Sequence, residues 1–469
     1  MNELCLVSAV ELARRVRRRE VSCTEVMETF LGAIEDLDRR LNAIVTLAAD
    51  RALDAARRAD AFPPEEPPPL HGLPIAHKDL VQTRGIRTTF GSPLYRDFVP
   101  ERDDLIVERI RAAGAICLGK TNTPELGAGS QTFNPVFGAT RNPYDLARTC
   151  GGSSGGAAAA LAARLLPIAD GSDLGGSLRN PAAFCNVVGF RPTPGRVPAW
   201  PARNPWFDMS VLGPMARSVD DAALLFSAMA GPDPRSPSAL DTPGRTFATV
   251  TPAELRGLRV AFTPDYGGLP VERPVLERMT ALADELANLG AAVTEAVPDL
   301  IDARSIFHVM RANTFREKYG GLDAGARRTM KDTVRWNLDA GESLTTADLD
   351  RASAARTRLF EGVAGFFDRF DVLVGPTTQV LPFDVDIEWV HEIEGVVLET
   401  YVDWMQSCSA ISVTGCPALS LPAGFSPDGR PIGMQLVAHV RDDARLLGIA
   451  KSIEAATGFA SRLPVLLAP

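Results

Sequence analysis

The chain has 469 residues, 45% of them hydrophobic, which is enough to bury a sizeable core and excludes a disordered protein. Its formal net charge of −9 argues against a protein that grips nucleic acid or an anionic membrane by itself. No run approaches the roughly 18 apolar residues of a membrane span, and the first residues lack the basic-then-apolar order of a secretory signal, so we expect a cytoplasmic protein.

Helices are predicted for the N-terminal segment, residues 1–70. Ser8 and Ser22 are each followed three residues later by a glutamate, the pattern of a capping box at a helix start. Apolar residues then recur at helical spacing. A third helix is predicted over 47–61, and the proline-rich stretch 62–69 ends it and stiffens the connection.

Short apolar strands alternate with helices from residue 73 onward. The predicted strands are 73–76, 115–118, 165–169, 258–262, 292–297, 371–374, 418–421 and 431–437. The predicted helices are 104–113, 178–185, 218–230, 274–289, 346–370 and a last one that begins near 442. This alternation predicts an α/β fold with a largely parallel sheet, and no internal repeat is detectable.

Two clusters rich in glycine and serine, residues 151–156 and 171–177, form the candidate active site. The first has too little side-chain bulk for a core element and runs into an alanine-rich helix, so it is predicted to be a loop at a helix start. The second lies between a strand and a helix, which is how a nucleophile, here Ser177, is commonly displayed. Its glycines let consecutive N–H groups point at one spot and form an oxyanion hole. The candidate donors are Leu174, Gly175, Gly176 and Ser177.

A serine nucleophile needs a base, and Lys78 is the candidate. Histidine, the usual base, is scarce, with five in the chain. Lys78 lies at the end of a short apolar strand, where a lysine is rarely placed for solubility alone. A phosphate-binding loop is disfavoured because neither cluster has the lysine that follows the last glycine of a P-loop.

Three motifs in this order resemble the amidase signature family: a strand ending in Lys78, the loop GGSSGG, and the segment GSDLGGSLRNPA after it. By that resemblance Lys78 is the base, Ser153 is the bridging serine and Ser177 is the nucleophile. Further matching segments extend the likeness over nearly the whole chain, more loosely over 233–370.

The resemblance also implies a fold and an activity. The fold is a large mixed, mostly parallel sheet covered by helices on both faces, in a single domain, 1–469. Its parts are the N-terminal helices and linker (1–70), a signature core (71–230) and a variable, substrate-facing flank (231–469). The activity is hydrolysis of the carbon–nitrogen bond of a small linear carboxamide through a serine acyl-enzyme. The expected partner is that small molecule, with no nucleic acid and no membrane, and a homodimer is left open.

Supporting residues follow from the same resemblance. Asp173 and Arg179 brace the second cluster through hydrogen bonds. Leu174 stands where the family usually has threonine, and Asn186 where it usually has glycine. Neither departure affects the expected chemistry, because Leu174 is expected to supply only its N–H.

Two geometric expectations accompany this mechanism. The bond between Gly152 and Ser153 is expected to be cis, so that the Ser153 hydroxyl reaches both Lys78 and Ser177. Lys78 must be neutral to accept a proton, so we expect burial to lower its pKa and Asp79 to point away from it.

Other functions fit parts of the sequence. Residues 151–155 match the nucleophile elbow of α/β-hydrolases with Ser153 as nucleophile, but the preceding residues 145–149 are polar where that elbow needs a buried strand. Within the family, the glutaminase subunit of a tRNA-dependent amidotransferase has nearly the same motifs, and a serine hydrolase of esters or ureides is a further alternative. A binding protein that has lost activity is disfavoured because Lys78, Ser153 and Ser177 are all present.

Residues outside the motifs are interpreted as structural. The seven cysteines lack CxxC pairs and histidine partners, which favours reduced thiols and predicts no metal site; no cofactor is expected. Cys185 is expected to be a core thiol, and His77 to pack on the side of its strand opposite Lys78. One aromatic cluster either lines a substrate pocket or packs in the core: Trp200, Trp206 and Phe207.

Overall fold

The computed structural model describes residues 2–467. Its helices are α1 (Glu3–Leu6), α2 (Ala9–Arg17), α3 (Cys23–Leu41), α4 (Ala49–Ala61), α5 (Leu105–Ala112), α6 (Gly155–Ala162), α7 (Arg179–Phe184), α8 (Val219–Met229), α9 (Arg273–Asn288), α10 (Ala303–Tyr319), α11 (Ala324–Arg328), α12 (Asp332–Glu342), α13 (Thr346–Phe367), α14 (Gln406–Thr414) and α15 (Asp443–Thr457). Its strands are β1 (Ile44–Leu47), β2 (Pro74–Lys78), β3 (Ile116–Thr121), β4 (Phe133–Asn134), β5 (Gly138–Ala139), β6 (Arg141–Asn142), β7 (Asp145–Thr149), β8 (Ile168–Asp173), β9 (Val188–Arg191), β10 (Val211–Ala216), β11 (Arg259–Phe262), β12 (Ala292–Glu295), β13 (Val372–Pro376), β14 (Glu392–Ile393), β15 (Val396–Val397), β16 (Ala418–Phe425) and β17 (Pro431–Val437).

Eight strands form the main sheet, in the order β12-β11-β13-β17-β16-β9-β10-β8. The strands β12, β11 and β13 pair in parallel, and every other neighbouring pair is antiparallel. The predicted α/β fold with a mixed sheet is confirmed, but the expectation of mostly parallel strands is wrong. Parallel neighbours need a long crossover, whereas a short loop joins β16 directly to β17 and makes them a hairpin.

A separate sheet of three strands, β1-β3-β2, carries the first motif. The strands β2 and β3 are parallel and are connected through α5, as the alternation of strand and helix predicts. The strand β1 was not predicted. It has only four residues and precedes α4 almost directly, so no alternating pattern develops in the sequence.

Helix α6 joins the two sheets. It packs against β1, β2 and β3 on one side and against β8 and β10 on the other, and all of its residues are buried. Its sequence GGAAAALA has almost no side-chain bulk, which allows this close approach: a Cβ at Gly156 would clash with the backbone of Asn122. The N-terminus of α6 therefore brings the first glycine and serine cluster between β2 and β8.

Several helices begin where the sequence predicts. The hydroxyl of Ser8 accepts a hydrogen bond from the N–H of Glu11, and that of Ser22 from the N–H of Glu25. Thr345 begins α13 with a complete capping box. None of the helices within residues 2–467 combines the length and the apolar character needed to cross a membrane.

Candidate active site

Lys78, the last residue of β2, is fully buried beneath the two glycine and serine clusters. Its Nζ lies 2.8 Å from Ser153 Oγ, 2.8 Å from Ser154 Oγ and 3.1 Å from Ser172 Oγ. The sequence singles out Ser153 but gives no reason to choose Ser154 or Ser172. The structure therefore contains a buried lysine surrounded by hydroxyl groups, with two more serines than the motifs indicate.

The environment of Lys78 favours its neutral amine. Burial lowers the pKa of Lys78 from 10.5 to about 7, although the carboxylates of Asp173 and Asp170 act in the opposite direction. A neutral amine has two N–H groups and one lone pair, so it can donate to two hydroxyls and accept from a third. The three serine hydroxyls around Nζ match that requirement.

Asp79 points away from the lysine that precedes it, as expected. Its carboxylate accepts hydrogen bonds from the N–H of Thr89, at 3.2 and 3.1 Å, and from the Thr89 hydroxyl at 2.5 Å. Burial raises the pKa of Asp79, while these hydrogen bonds and Lys120 oppose the rise. The Asp79 carboxylate is thus bound by Thr89 and not by Lys78.

Two hydroxyl groups bind the backbone of the first cluster. The Ser130 hydroxyl donates to the carbonyl of Gly152 at 2.6 Å, and the Thr132 hydroxyl donates to that of Gly151 at 2.8 Å. The peptide bond from Gly152 to Ser153 is cis, as expected. Ser153 is only 2% exposed, so its hydroxyl is available to Lys78 and to the cleft but hardly to bulk water.

Ser177 lies on the second cluster, partly exposed at the cleft. Its carbonyl accepts a hydrogen bond from the N–H of Ser154 at 3.1 Å, which ties the two clusters together. Its hydroxyl makes no hydrogen bond with any other group of residues 2–467. The contact from Lys78 to Ser153 is therefore made in this structure, whereas that from Ser153 to Ser177 is not.

A buried ion pair supports the second cluster, at the residues that the resemblance indicates. Arg179 donates to the carboxylate of Asp173 from Nε at 3.0 Å and from Nη2 at 2.9 Å, and both residues are fully buried. Burial alone would raise the pKa of Asp173, but Arg179 and Arg191 outweigh it and hold that pKa well below its usual range. Arg179 also donates to the Ser412 hydroxyl of α14 at 2.7 Å, so the loop is anchored to the flank.

One candidate donor of the oxyanion hole is already occupied. The N–H of Gly176 donates to Asp173 Oδ1 at 2.7 Å, because the carboxylate held by Arg179 lies directly beneath it. Gly176 is therefore removed from the candidate donors. The N–H groups of Leu174, Gly175 and Ser177 have no acceptor within the part of the chain that the structure describes, and they stay candidates.

Two groups of residues lie at the cleft, beside other lining residues such as Leu80, Leu126 and Ser210. We call Lys78 with Ser153, Ser154, Ser172 and Ser177 the floor. We call the residues of α10 that line the cleft the wall: Arg311, Thr314, Phe315, Lys318 and Tyr319. The space between floor and wall is about 90 Å³. The wall was missed by the sequence analysis, because nothing in the spacing of α10 shows which of its faces meets a loop that lies far away in the chain.

Other predicted residues lie outside the cleft. His77 is buried with Nδ1 3.3 Å from Asp170 Oδ1; burial opposes its protonation, but Asp170 and Cys117 raise the pKa of His77 to about 9. Cys185 is a buried core thiol, as expected, and burial raises its pKa. Trp206 is 73% exposed, so the expectation that it lines a pocket or packs in the core is wrong.

A second, larger cavity of about 790 Å³ lies between α10 and α13. It is lined by Arg356 and Asp208, which form an ion pair at 2.7 Å, and by residues near His439. None of the floor residues lines it. The smaller cleft is therefore the site that carries the predicted chemistry.

The chain is similar to known proteins over nearly its whole length. The profile of a family described as Amidase matches residues 25–447. One subunit of the glutamyl-tRNA(Gln) amidotransferase of Azotobacter vinelandii is 35% identical over 485 residues, which cover 98% of this chain and 99% of that one. An acylamidase of Rhodococcus erythropolis is 35% identical over 465 residues, which cover 98% of this chain and 97% of that one.

A solved structure shares the whole architecture. A bacterial aryl acylamidase belonging to the amidase signature enzymes superposes with a TM-score of 0.89, at 29% identity over 97% of both chains. The similar proteins therefore include both acylamidases and one chain of an amidotransferase.

Proposed function

Because this chain belongs to the amidase family, we propose that it hydrolyses the carbon–nitrogen bond of a small-molecule carboxamide through an acyl-enzyme on Ser177. The observation that carries the proposal is the buried Lys78, with its pKa lowered to about 7 and its Nζ 2.8 Å from Ser153 Oγ, at the base of the cleft that also contains Ser177. The proposed enzyme acts on linear amides and is cytoplasmic.

The acylation step uses the floor as a proton relay. Ser177 Oγ bonds to the carbonyl carbon while its proton moves to Ser153, whose own proton moves to the neutral amine of Lys78. The Ser177 hydroxyl has no other hydrogen bond to lose, and catalytic hydrogen bonds commonly tighten only when substrate is bound. The carbon–nitrogen bond then breaks, and the proton returns through Ser153 to the leaving nitrogen.

The negative oxygen that forms during this step needs donors that are already in place. The N–H groups of Leu174, Gly175 and Ser177 meet that need because no other acceptor of residues 2–467 uses them. Water then attacks the acyl ester by the same relay, which releases the carboxylic acid and restores the Ser177 hydroxyl. Esters can enter the same sequence, since the acyl-enzyme does not depend on the leaving group.

A fluorophosphonate probe tests the nucleophile directly. The probe is expected to label Ser177, and Ser177→Ala is expected to abolish labelling and to lower kcat by about 10,000-fold or more. Ser210→Ala is the matched control, because Ser210 lines the same cleft but has no place in the relay. A label on Ser153, with turnover retained in Ser177→Ala, would instead support the nucleophile elbow and overturn the proposal.

The amidotransferase relative supports a second candidate function. A chain of that kind, a glutaminase working with partner chains, would carry the same floor. Ammonia release from glutamine that requires added partner subunits, with no hydrolysis of simple amides by the isolated chain, would favour this function. Hydrolysis of simple amides by the isolated chain would favour the free-standing amidase.

A further inference from the structure

The wall of the cleft lies directly on the proposed oxyanion loop. The ring of Phe307 on α10 packs so closely against Gly175 that a Cβ there would clash with it. Residues four apart on a helix share a face, so Arg311 and Phe315 follow Phe307 along the cleft. One helical turn is about 5.4 Å, which places Arg311 within the length of a small substrate from the loop.

Arg311 is buried without a carboxylate partner. It is only 4% exposed, and no ion pair with an acidic side chain of residues 2–467 is formed. Its Nε donates to Asn337 Oδ1 at 3.0 Å and to the hydroxyl of Tyr401 at 3.1 Å, and its Nη2 donates to the same hydroxyl at 2.6 Å. Burial of a charged guanidinium costs free energy unless an anion pairs with it.

Its remaining surroundings are apolar on one side and open on the other. The guanidinium carbon lies 5.0 Å from the ring centre of Phe315, 5.5 Å from that of Tyr401 and 5.9 Å from that of Phe307. Nη1 donates to no atom of the described chain, and Arg311 lines the cleft. The side chain is thus fixed by Tyr401 and Asn337 while one of its N–H edges is left for a ligand.

The other charged residue that lines the cleft has the same sign as Arg311. Lys318 lines the rim, and no aspartate or glutamate is among the lining residues. The acids around the cleft are already engaged: Asp173 beneath the loop is paired with Arg179, Glu317 accepts from Asn313 at 3.1 Å, and Glu125 accepts from the N–H of Lys331 at 2.8 Å. The cleft beside Ser177 therefore presents positive charge to whatever enters it.

We propose that the substrate is an amide that also carries a carboxylate, and that Arg311 binds this carboxylate while Ser177 attacks the amide carbonyl. This inference rests on the proposed function and narrows its substrate class. A carboxylate completes the coordination of the guanidinium with charge-assisted hydrogen bonds, which are the strongest available to it. The short reach from Arg311 to the loop selects a small linear acid, with the carboxylate on either the acyl or the amine part.

Matched substrates test the proposal. Succinyl para-nitroanilide and its uncharged counterpart butyryl para-nitroanilide differ in a carboxylate on the acyl part, and para-acetamidobenzoate and acetanilide differ in one on the amine part. We expect kcat/KM for the acid to exceed that for the neutral compound by roughly 10- to 100-fold in one of these pairs, mainly through KM. The pair that shows the preference identifies the part that faces Arg311.

Variants then assign the preference to one residue. Arg311→Gln is expected to reduce the ratio of acid to neutral kcat/KM to near one, and Arg311→Lys is expected to keep part of it. Tyr401→Phe, which removes only the hydroxyl that fixes the guanidinium, is expected to give an intermediate ratio. Arg316→Gln is the matched control, since Arg316 is exposed on the same helix and outside the cleft, and it is expected to keep the wild-type ratio.

The outcomes separate this inference from the proposed function. Equal kcat/KM for acid and neutral members of both pairs, or equal losses on both in Arg311→Gln, would overturn the role of Arg311 and leave amide hydrolysis intact. Calorimetry with succinate on Ser177→Ala needs no turnover. If Ser177→Ala binds succinate and the added change Arg311→Gln abolishes that binding, the carboxylate site is supported. If, in addition, the unmodified enzyme hydrolyses no amide, the proposed reaction is rejected.

Discussion

The floor and the wall of the cleft differ in how their charged groups are paired. On the floor, Lys78 is surrounded by three serine hydroxyls, and Asp173 beneath it is paired with Arg179. On the wall, Arg311 is held by a tyrosine and an amide and lacks an anion within residues 2–467. Because the polar groups of the floor are hydrogen-bonded to one another, the floor places few demands on the substrate and is suited to the same reaction on many amides. On the wall, by the proposal above, only a substrate that carries a carboxylate can pair with Arg311 and gain binding free energy from it.

Removal of the base is expected to have the largest effect on this comparison. Lys78→Ala retains the proposed oxyanion donors but loses the proposed proton acceptor, so we expect kcat to fall by roughly 100- to 10,000-fold. Burial lowers the pKa of Lys78 to about 7, so the proposed base is protonated below that pH, and kcat/KM of the unmodified chain is expected to rise with pH through about 7 and to level off above it. Initial rates measured from pH 5 to pH 9, a span of about two units on each side of that pKa, check both statements.

A matched lysine serves as the control for this prediction. Lys120 is also fully buried, but its Nζ donates to the Thr83 hydroxyl and the carbonyl of Val81 and makes no hydrogen bond with a serine of the floor. Lys120→Ala is expected to lower stability while the midpoint of the pH profile stays near 7. A normal rate in Lys78→Ala across this pH range would mean that another group is the base.

Asp170→Asn is expected to have a smaller effect, which is limited to the midpoint of the pH profile of kcat/KM. The carboxylate of Asp170 raises the pKa of Lys78 and accepts the N–H of Lys78 at 3.2 Å. An asparagine keeps the acceptor but removes the charge, so Lys78 becomes neutral at lower pH and the midpoint moves to lower pH. The plateau rate should change little. A midpoint that moves to higher pH would show that the loss of the His77 pair dominates instead.

The smallest effect is expected at the start of α13, which does not line the cleft. Thr345 begins α13 with a capping box at an exposed position. Thr345→Ala is expected to lower the free energy of unfolding by about 1 kcal/mol and to leave kcat/KM unchanged, which denaturant titration and initial rates can measure. A change in the ratio of kcat/KM for acid and neutral substrates would show that the start of α13 is coupled to the wall through the contact between α13 and α10.

The floor could be predicted from the sequence because its residues lie in local patterns. A strand that ends in Lys78 and glycines that allow tight turns around Ser153 and Ser177 each depend on neighbours a few residues away. The capped starts of α2 and α3 were predictable for the same reason. The serines at 154 and 172 were missed as partners of the lysine, because a backbone loop of small residues does not show which hydroxyls point inward.

The wall and the sheet pairing could not be predicted because they depend on distant contacts. The face of α10 that carries Arg311 is defined only when Phe307 meets Gly175, a contact between the flank and the signature core. The same limit explains the sheet. Alternation of strands and helices suggests parallel pairs, but the antiparallel position of β17 beside β13 is fixed by packing across the whole molecule.

The clash that a side chain at Gly175 would make with Phe307 has a consequence for the newly made protein. The loop emerges from the ribosome on the order of 10 s before the ring that covers it, at typical rates of synthesis. During that interval the nucleophile is synthesised but the cover of its loop is absent. We therefore expect activity only after α10 has been made and has docked, so that a chain interrupted before Phe307 would contain Lys78, Ser153 and Ser177 and still be inactive.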